Sequence, residues 1–223
     1  RLHPFSPDSS SWTVDLGDLE AVDRLAAEVL DRYGHLNALV NNAGIPKRRW
    51  AWDHRPDEIA DVLRVNVESP MRLTTALLPA ISERAGSIVF VGSVAARLAP
   101  PAEAVYSASK AAITAYADGL RVDLGVAGRE VDVHVVQPGI VDTDLFTYDD
   151  NEASLADVEP VAAEVMGEHV ADLLVDGGPF ETFVPGWFAD LPPVKAADPD
   201  GFWQGSVEYT RSRLTDLHRG IPT

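Results

Sequence analysis

The sequence contains no cysteine among its 223 residues. Disulfides, thiolate nucleophiles and cysteine-based metal sites are therefore excluded. Long apolar runs are also lacking, because none approaches the roughly 18 consecutive residues that a membrane span needs. The first ten residues have no basic head followed by an apolar stretch, so they do not read as a signal peptide. These absences favour a soluble, cytoplasmic protein.

Basic residues are few: 18 lysines and arginines stand against 35 aspartates and glutamates, which gives a net charge of −17. A surface of this sign repels nucleic acid and anionic membranes, so neither is expected as a partner. We interpret the acidity as a solubility feature. The hydrophobic fraction of 46 % is typical of a globular chain, and the length suits one large α/β domain.

Amphipathic helices alternate with short apolar strands along most of the chain. Because helices of ten or more residues separate the strands, the pattern predicts βαβ units and a doubly wound, Rossmann-like parallel sheet in three layers. We expect a single domain over residues 1–223, with 186–223 as a substrate-side tail. Helices are predicted at 19–33, 57–83, from about 106 to 125, at 160–174 and at 205–217, and strands at 11–14, 36–40, 87–91, 131–136 and 182–184.

The predicted helix over 57–83 contains two unusual residues. Asn66 falls on the apolar face that should be buried, where an amide needs hydrogen-bond partners. Pro70 has no N–H to return to the carbonyl of Asn66, so the helix should bend there and leave that carbonyl available. A harmless kink in a long helix is the alternative interpretation.

Tyr106 and Lys110 lie four residues apart on a predicted helix, hence one turn apart on one face. A free tyrosine has a pKa of about 10 and is a poor acid or base near neutrality. An ammonium held within ~4–6 Å favours the phenolate and lowers that pKa. The pair is therefore suited to general acid–base chemistry, although the spacing alone is also a common accident on exposed helices.

Several polar and glycine residues follow predicted strands. In parallel α/β sheets, ligands bind at the carboxyl ends of the strands, so these residues should share one binding edge. They are Asp15, Asn41 to Gly44, Ser93, and Pro138 with Gly139. Each also has a plain structural interpretation, as a turn, a helix cap or the end of a strand.

Taken in order and with their spacing, these motifs resemble the classical short-chain dehydrogenases/reductases over about residues 12 to 185. Ser93 precedes Tyr106 by 13 residues, and Asn42 precedes Asn66 by 24. The motifs are Asn-Asn-Ala-Gly at 41–44, Asn66, Gly-Ser at 92–93, Tyr-Ser-Ala-Ser-Lys at 106–110 and Pro-Gly-Ile-Val-Asp-Thr at 138–143.

The resemblance implies an NAD(P)-dependent oxidoreductase acting on a carbonyl or secondary alcohol. Tyr106 would be the general acid/base, with Lys110 lowering its pKa and binding the nicotinamide ribose. Ser93 would hold the substrate oxygen, and Asn66 would place a water that continues the proton path. The catalytic set is thus Asn66, Ser93, Tyr106 and Lys110.

The resemblance also implies where the cofactor binds. The turn over 41–44 would pass its adenosine side, with Gly44 allowing close backbone approach. Asp15 would meet the adenine, and the segment after the strand at 131–136 would line the nicotinamide. The implied cofactor residues are Asp15, Leu16, Asn42, Ala43, Gly44, Tyr106, Lys110, Pro138, Gly139, Val141 and Thr143.

The sequence departs from the family at its start. The family's first strand, its glycine-rich phosphate turn and its second strand are not found before residue 11, so we expect roughly 35–50 further residues, about one βαβ unit. Arg1 would then lie near the cofactor, where a basic residue favours the NADP 2′-phosphate. We therefore expect NADP or NAD, with NADP favoured.

Two other functions stay open at this point. One is an epimerase or dehydratase with bound nicotinamide, against which the short C-terminal part argues. The other is a binding or regulatory protein without a working cofactor site. The resemblance further implies a homodimer or homotetramer through the helices over 57–83 and 106–125.

No metal site is expected. The six histidines show no ligand spacing, and His54 more simply lines a loop beside Trp50 and Trp52. We interpret the acidic cluster of Asp142, Asp144, Asp149, Asp150 and Glu152 as a solvated lid within 140–159, and the aromatic residues at 187–188 and 202–203 as a substrate cover rather than core packing.

Overall fold

A computed structural model of the chain describes residues 9–146, 151, 154–217 and 219–220. Its main sheet has four parallel strands: β1 (Ala38–Asn41), β2 (Ser87–Val91), β3 (Asp132–Pro138) and β6 (Glu181–Val184), in the order β1-β2-β3-β6. Two short strands, β4 (Val141–Asp142) and β5 (Val161–Ala162), form a separate parallel pair. All four strands of the main sheet therefore end at one edge.

Helices connect and cover these strands. Their bounds are α1 (Leu19–Tyr33), α2 (Pro56–Leu63), α3 (Ser69–Ser82), α4 (Ala95–Leu98), α5 (Ala104–Ala127), α6 (Ala163–Asp176), α7 (Leu191–Ala197) and α8 (Pro199–Asp216), with short 3₁₀ turns at Asp144–Phe146 and Gly186–Asp190. Asp18 caps α1 by accepting the N–H groups of Glu20 and Ala21, and Gly34 ends it with φ of 70°. Both helix limits agree with the prediction.

The two faces of the sheet bury alternate residues of the same strands. Ile88 and Phe90 of β2 pack in a cluster with α1, α3 and α5, whereas Val89 packs with α6 on the other face. Strand residues that alternate between two covered faces produce continuous apolar runs. The result is the three-layer parallel architecture that the sequence predicts.

Some predicted element limits are wrong. Residues 11–14 form no strand, because no neighbouring strand in the described chain pairs with them. The helix predicted from residue 160 begins at Ala163, since Val161 and Ala162 pair with β4 instead. The last helix begins at Pro199 rather than at 205, with Asp198 accepting the N–H of Gly201.

The long helix predicted over 57–83 is divided. A π-helical turn, Arg64–Glu68, separates α2 from α3, and the N–H of Ser69 bonds to the carbonyl of Arg64. The turn directly precedes Pro70, whose missing N–H removes one ordinary helical bond. Wide turns of this kind are frequent at functional sites. Here it contains Asn66, which is 2 % exposed.

In the residues that the structure describes, no helix is both long and apolar enough to cross a bilayer.

Gln137, fully buried near the carboxyl end of β3, bonds to the residue after β2, to α5 and to the first residue of β6. Its Oε1 accepts the N–H of Ser93 at 2.7 Å, and its Nε2 donates to Thr114 Oγ1 at 3.1 Å and to Glu181 Oε1 at 2.8 Å. Glu181 in turn accepts two bonds from Arg97, at 2.9 and 3.1 Å. A side chain at Gly92 would collide with Gln137. The amide therefore fixes the backbone that carries Ser93.

We expect Gln137→Leu to destabilise the fold by about 1–3 kcal/mol for each polar group that it leaves unpaired, because buried donors lose their partner. Urea unfolding measures the change. Gln204→Leu, at an exposed position of α8, is the matched control and should change stability by less than about 0.5 kcal/mol. Equal stability of Gln137→Leu and the unmodified protein would contradict this role.

Candidate active site

Tyr106 and Ser93 lie together on the wall of a cavity of about 440 Å³. Ser93 follows β2, whereas Tyr106 is in the first turn of α5. The two side chains are hydrogen-bonded to each other, and Ser93 is only 7 % and Tyr106 only 6 % exposed. A hydroxyl and a phenol that open onto one cavity can hold the same substrate oxygen. The structure thus brings together two of the four predicted catalytic residues around a space for a ligand.

Lys110 lies one helical turn beyond Tyr106, as predicted. Its Nζ is 5.8 Å from the centre of the Tyr106 ring and donates to the carbonyl of Val91 at 2.8 Å. The side chain is 4 % exposed, and burial lowers the pKa of Lys110 from 10.5 to about 8. The ammonium is therefore held at the end of β2 rather than in solvent.

The expectation that Lys110 depresses the pKa of Tyr106 is wrong for this structure. Burial raises the pKa of the phenol, and the negative charge of Glu103 raises it further. The hydrogen bond from Ser93 and the positive charge of Arg48 act in the opposite direction. Burial is the largest of these effects, and Lys110 is not among the charges that lower the pKa of Tyr106. Tyr106 consequently keeps its proton at neutral pH.

Arg48 and Glu103 form a buried ion pair in the same cavity wall. Arg48 Nε donates to Glu103 Oε1 at 2.8 Å, and the two residues are 4 % and 8 % exposed. Burial raises the pKa of Glu103, and the charge and hydrogen bond of Arg48 oppose that rise. Sequence reasoning missed this pair, because 55 residues separate its members.

Asn66 connects the π-helical turn to the loop after β1. Its Oδ1 accepts the N–H of Ile45 at 2.8 Å, and its Nδ2 donates to the Ile45 carbonyl at 2.9 Å and to Ser109 Oγ at 3.0 Å. Ser109 itself donates to the carbonyl of Tyr106 at 2.7 Å. The predicted polar position on a buried face is thus fully partnered, and it fixes the loop next to the helix that carries Tyr106.

Gly44 brings its backbone directly against this group. A Cβ built there would lie 3.2 Å from Asn66 Oδ1 and 3.4 Å from Lys110 Nζ, so a side chain would crowd both. The close backbone approach seen at Gly44 is to protein side chains, and its approach to a cofactor stays a prediction. Asn42 and Ala43, just before it, are exposed at the end of β1.

The other predicted cofactor residues are spread along the same edge. Pro138 ends β3, and Gly139 lines the cavity against Phe188, whose Cε2 would lie 2.5 Å from a Cβ at Gly139. Val141 is in β4, and Thr143 follows it in the next turn. Asp15 lies in the turn before α1, where its Oδ1 accepts the N–H of Gly17 at 2.8 Å. Leu16 lies beside it, and no described contact joins these two residues to Tyr106.

The residues around Lys110 have the chemistry to hold a nicotinamide ribose. An ammonium has three donors, and the Val91 carbonyl takes one of them. The remaining donors can bond ribose hydroxyls. The small Gly44 leaves the backbone close to the same ammonium. The donor set therefore fits the cofactor that the sequence implies.

The C-terminal segment contributes to the wall of the same cavity. Phe188 and Phe202 both line it, whereas Trp187 and Trp203 are largely exposed. Leu155, from the segment predicted as a lid, also lines it. Asp149, Asp150 and Glu152 of that segment lie outside the described residues, as does Arg1. In the described part, no group of three or more histidine, aspartate or glutamate residues is arranged to hold a metal ion.

The burial of Lys110 makes a pH-dependent stability testable. Between about pH 8 and 10.5 the unfolded chain binds more protons at this lysine than the folded chain, so the free energy of unfolding should rise with pH in that window. Below about pH 8 the cost of the buried charge is fully present. Urea unfolding across this range should show a smaller rise for Lys110→Met, which has no charge to bury. An identical rise in both proteins would refute the buried, protonated lysine.

The chain is similar to proteins of known family. A family model described as short chain dehydrogenase matches residues 4–153. Among relatives, dehydrogenase/reductase SDR family member 7B of Bos taurus is 39 % identical over 134 residues, which are 60 % of this chain and 41 % of the relative. The Xenopus tropicalis protein of that name is 37 % identical over 179 residues, or 73 % and 57 % of the two chains. The chain thus spans about half the length of these relatives.

A solved short chain dehydrogenase of Burkholderia cenocepacia, in complex with NADP, has the same fold with a TM-score of 0.73 and 26 % identity. The match covers 89 % of this chain and 80 % of that one. The site geometry, the family match and the structural likeness agree, and the chain belongs to the short-chain dehydrogenase/reductase family.

Proposed function

We propose that the protein is an NAD(P)-dependent oxidoreductase that interconverts a carbonyl compound and a secondary alcohol, with Tyr106 as the general acid/base. The hydrogen-bonded Ser93–Tyr106 pair on the cavity wall is the observation that carries the proposal. It offers two hydroxyl groups to one substrate oxygen, and Ser93 Oγ is held in place by accepting the N–H of Ala95 at 3.1 Å. Asn66 and Lys110 complete the proposed catalytic set.

In reduction, the carbonyl oxygen would accept hydrogen bonds from Ser93 and Tyr106. Tyr106 would then give its proton to that oxygen as the carbonyl carbon accepts a hydride. A buried phenol that keeps its proton is in the form that a proton donor needs. Lys110 would resupply the proton through ribose hydroxyls and a water held at the Asn66 main-chain carbonyl, because the Asn66 amide is committed to Ile45 and Ser109.

The nicotinamide cofactor would supply the hydride, and the protein orients it. Its ribose would be held by Lys110 and Tyr106 and its nicotinamide by Pro138, Gly139, Val141 and Thr143. The remaining proposed contacts are Asp15, Leu16, Asn42, Ala43 and Gly44. NADP is favoured over NAD because the Burkholderia cenocepacia protein is described in complex with NADP. The proposed substrate is a small molecule. The proposed location of the protein is the cytoplasm.

Turnover of Tyr106→Phe tests the role of the phenol. The full-length protein should oxidise NADPH, and NADH more slowly, in the presence of ketones. Tyr106→Phe should lower kcat by about 10²–10⁴-fold, because the proton donor is removed while the ring still fills its place. Tyr209→Phe, at another tyrosine that lines the cavity, is the matched control and should keep most of the activity.

Turnover, together with a measurement of cofactor binding, distinguishes this function from the two alternatives. Full turnover by Tyr106→Phe would eliminate the proton-transfer role. Saturable binding of the nicotinamide cofactor without net oxidation would favour an epimerase or dehydratase, and the absence of cofactor binding would favour a binding or regulatory protein.

A homodimer or homotetramer is also proposed, formed through α2, α3 and α5. Leu63, Val122 and Val126 support it, since they are apolar and 41 %, 61 % and 86 % exposed on these helices. Sedimentation velocity should give a dimer or tetramer, and Val122→Glu should shift it towards monomer by placing a charge in the contact. Val175→Glu, equally apolar and exposed on α6, is the control. A monomeric unmodified protein would contradict the proposed contact.

A further inference from the structure

Most of the cavity wall beyond Ser93 and Tyr106 is hydrocarbon. Four parts of the chain contribute: α4 with the loop after it, the end of β3, the segment before β5, and the C-terminal helices. Among the described residues, the main apolar contributors are Leu98, Pro100, Ile140, Leu155, Phe188 and Phe202. A volume of about 440 Å³ is within the range of pockets that enclose small organic ligands.

The hydroxyl groups on the α8 side of the cavity are already bonded within the protein. Ser206 Oγ donates to the Phe202 carbonyl at 2.8 Å, and Thr210 Oγ1 donates to the Ser206 carbonyl at 2.6 Å. Tyr209 Oη accepts the N–H of Asp157 at 2.9 Å. These three hydroxyl groups therefore already bond to main-chain groups. A ligand on this side of the cavity needs few polar groups of its own.

The charged groups of the wall neutralise each other. Arg48 and Glu103 are the two oppositely charged residues among its described members, and they are joined at 2.8 Å. A charged ligand would lose its hydration in this cavity and would have to break that pair to gain a counterion. The described part of the wall therefore favours a ligand without net charge.

We propose that the substrate is an uncharged ketone, or the matching secondary alcohol, with a bulky apolar body that lies against Leu155, Phe188 and Phe202. The inference rests on the proposed function, because it places the carbonyl oxygen at Ser93 and Tyr106. Reduction adds a hydride from the reduced nicotinamide to the carbonyl carbon and the Tyr106 proton to the oxygen. The ketone thereby gains two electrons and the nicotinamide loses them.

Two compounds that share the ketone and differ by one carboxylate group test the substrate class. The full-length protein with NADPH is assayed on 4-phenylbutan-2-one and on its para-carboxylate, 4-(3-oxobutyl)benzoate. We expect kcat/KM to be at least about tenfold higher for the neutral ketone, because the described residues of the wall offer the carboxylate no counterion outside the Arg48–Glu103 pair. Equal or better use of the carboxylate overturns the proposal.

Variants of the apolar wall locate the body of the substrate. Leu155→Ala should lower the ratio of kcat/KM for 4-phenylbutan-2-one over butan-2-one, since only the larger ketone reaches that wall. Phe202→Leu is a milder second variant with the same expected direction. Val175→Ala, exposed on α6 outside the cavity, should keep the ratio. An unchanged ratio in both wall variants overturns the assignment.

Calorimetric binding of the two compounds to Tyr106→Phe with NADP⁺ separates this inference from the proposed function. If the unmodified protein turns over neither compound but Tyr106→Phe binds only the neutral one, the ligand class stands and the oxidoreductase proposal fails. If both are turned over without preference, the activity stands and the ligand class fails. If neither is bound or turned over, the ligand class fails as well.

Discussion

Burying a phenol and an ammonium close together stabilises a fold only if their polar atoms find partners, because unpaired polar groups are costly away from water. Here Ser93 bonds to Tyr106, and the carbonyl of Val91 accepts from Lys110. Both partners belong to the end of β2 or to the residues just after it. The position of α5 relative to that strand end is therefore fixed by the same contacts that form the candidate site.

Two buried amides extend this constraint to the neighbouring segments. Gln137 bonds to the N–H of Ser93 from β3, and Asn66 bonds to Ile45 and Ser109 from the π-helical turn. Asn66 bonds to two other segments and Gln137 to three, so none of these segments can shift alone. A site held in this way is preorganised, which is what proton transfer to a bound oxygen requires.

The sequence predicted the features that depend on local pattern. The limits of α1 follow from Asp18 and Gly34, and those of β2 from an apolar run that ends at Gly92. The position of Ser93 at the binding edge follows from the rule that parallel strands end together, and that of Lys110 one turn after Tyr106 follows from helical spacing. The motif spacing then identified the family.

Features that depend on distant contacts were not predictable. The Arg48–Glu103 pair joins residues far apart in the sequence. The local sequence around Gln137 indicates only the end of a strand, not its bonds to other segments. The raised pKa of Tyr106 depends on burial by several segments at once, whereas the spacing to Lys110 alone predicted a lowered one. Residues 11–14 have the composition of a strand, but strand formation also needs a neighbour.

The central claim is that Tyr106 and Ser93 hold one substrate oxygen inside an apolar cavity. A crystal structure of the full-length protein with NADP⁺ and a bound secondary alcohol tests it most directly. The account predicts the alcohol oxygen within about 2.6–3.2 Å of both Tyr106 Oη and Ser93 Oγ, with the carbon body against Phe188 and Phe202. An alcohol oxygen bound away from Tyr106, or an alcohol bound outside this cavity, would contradict it.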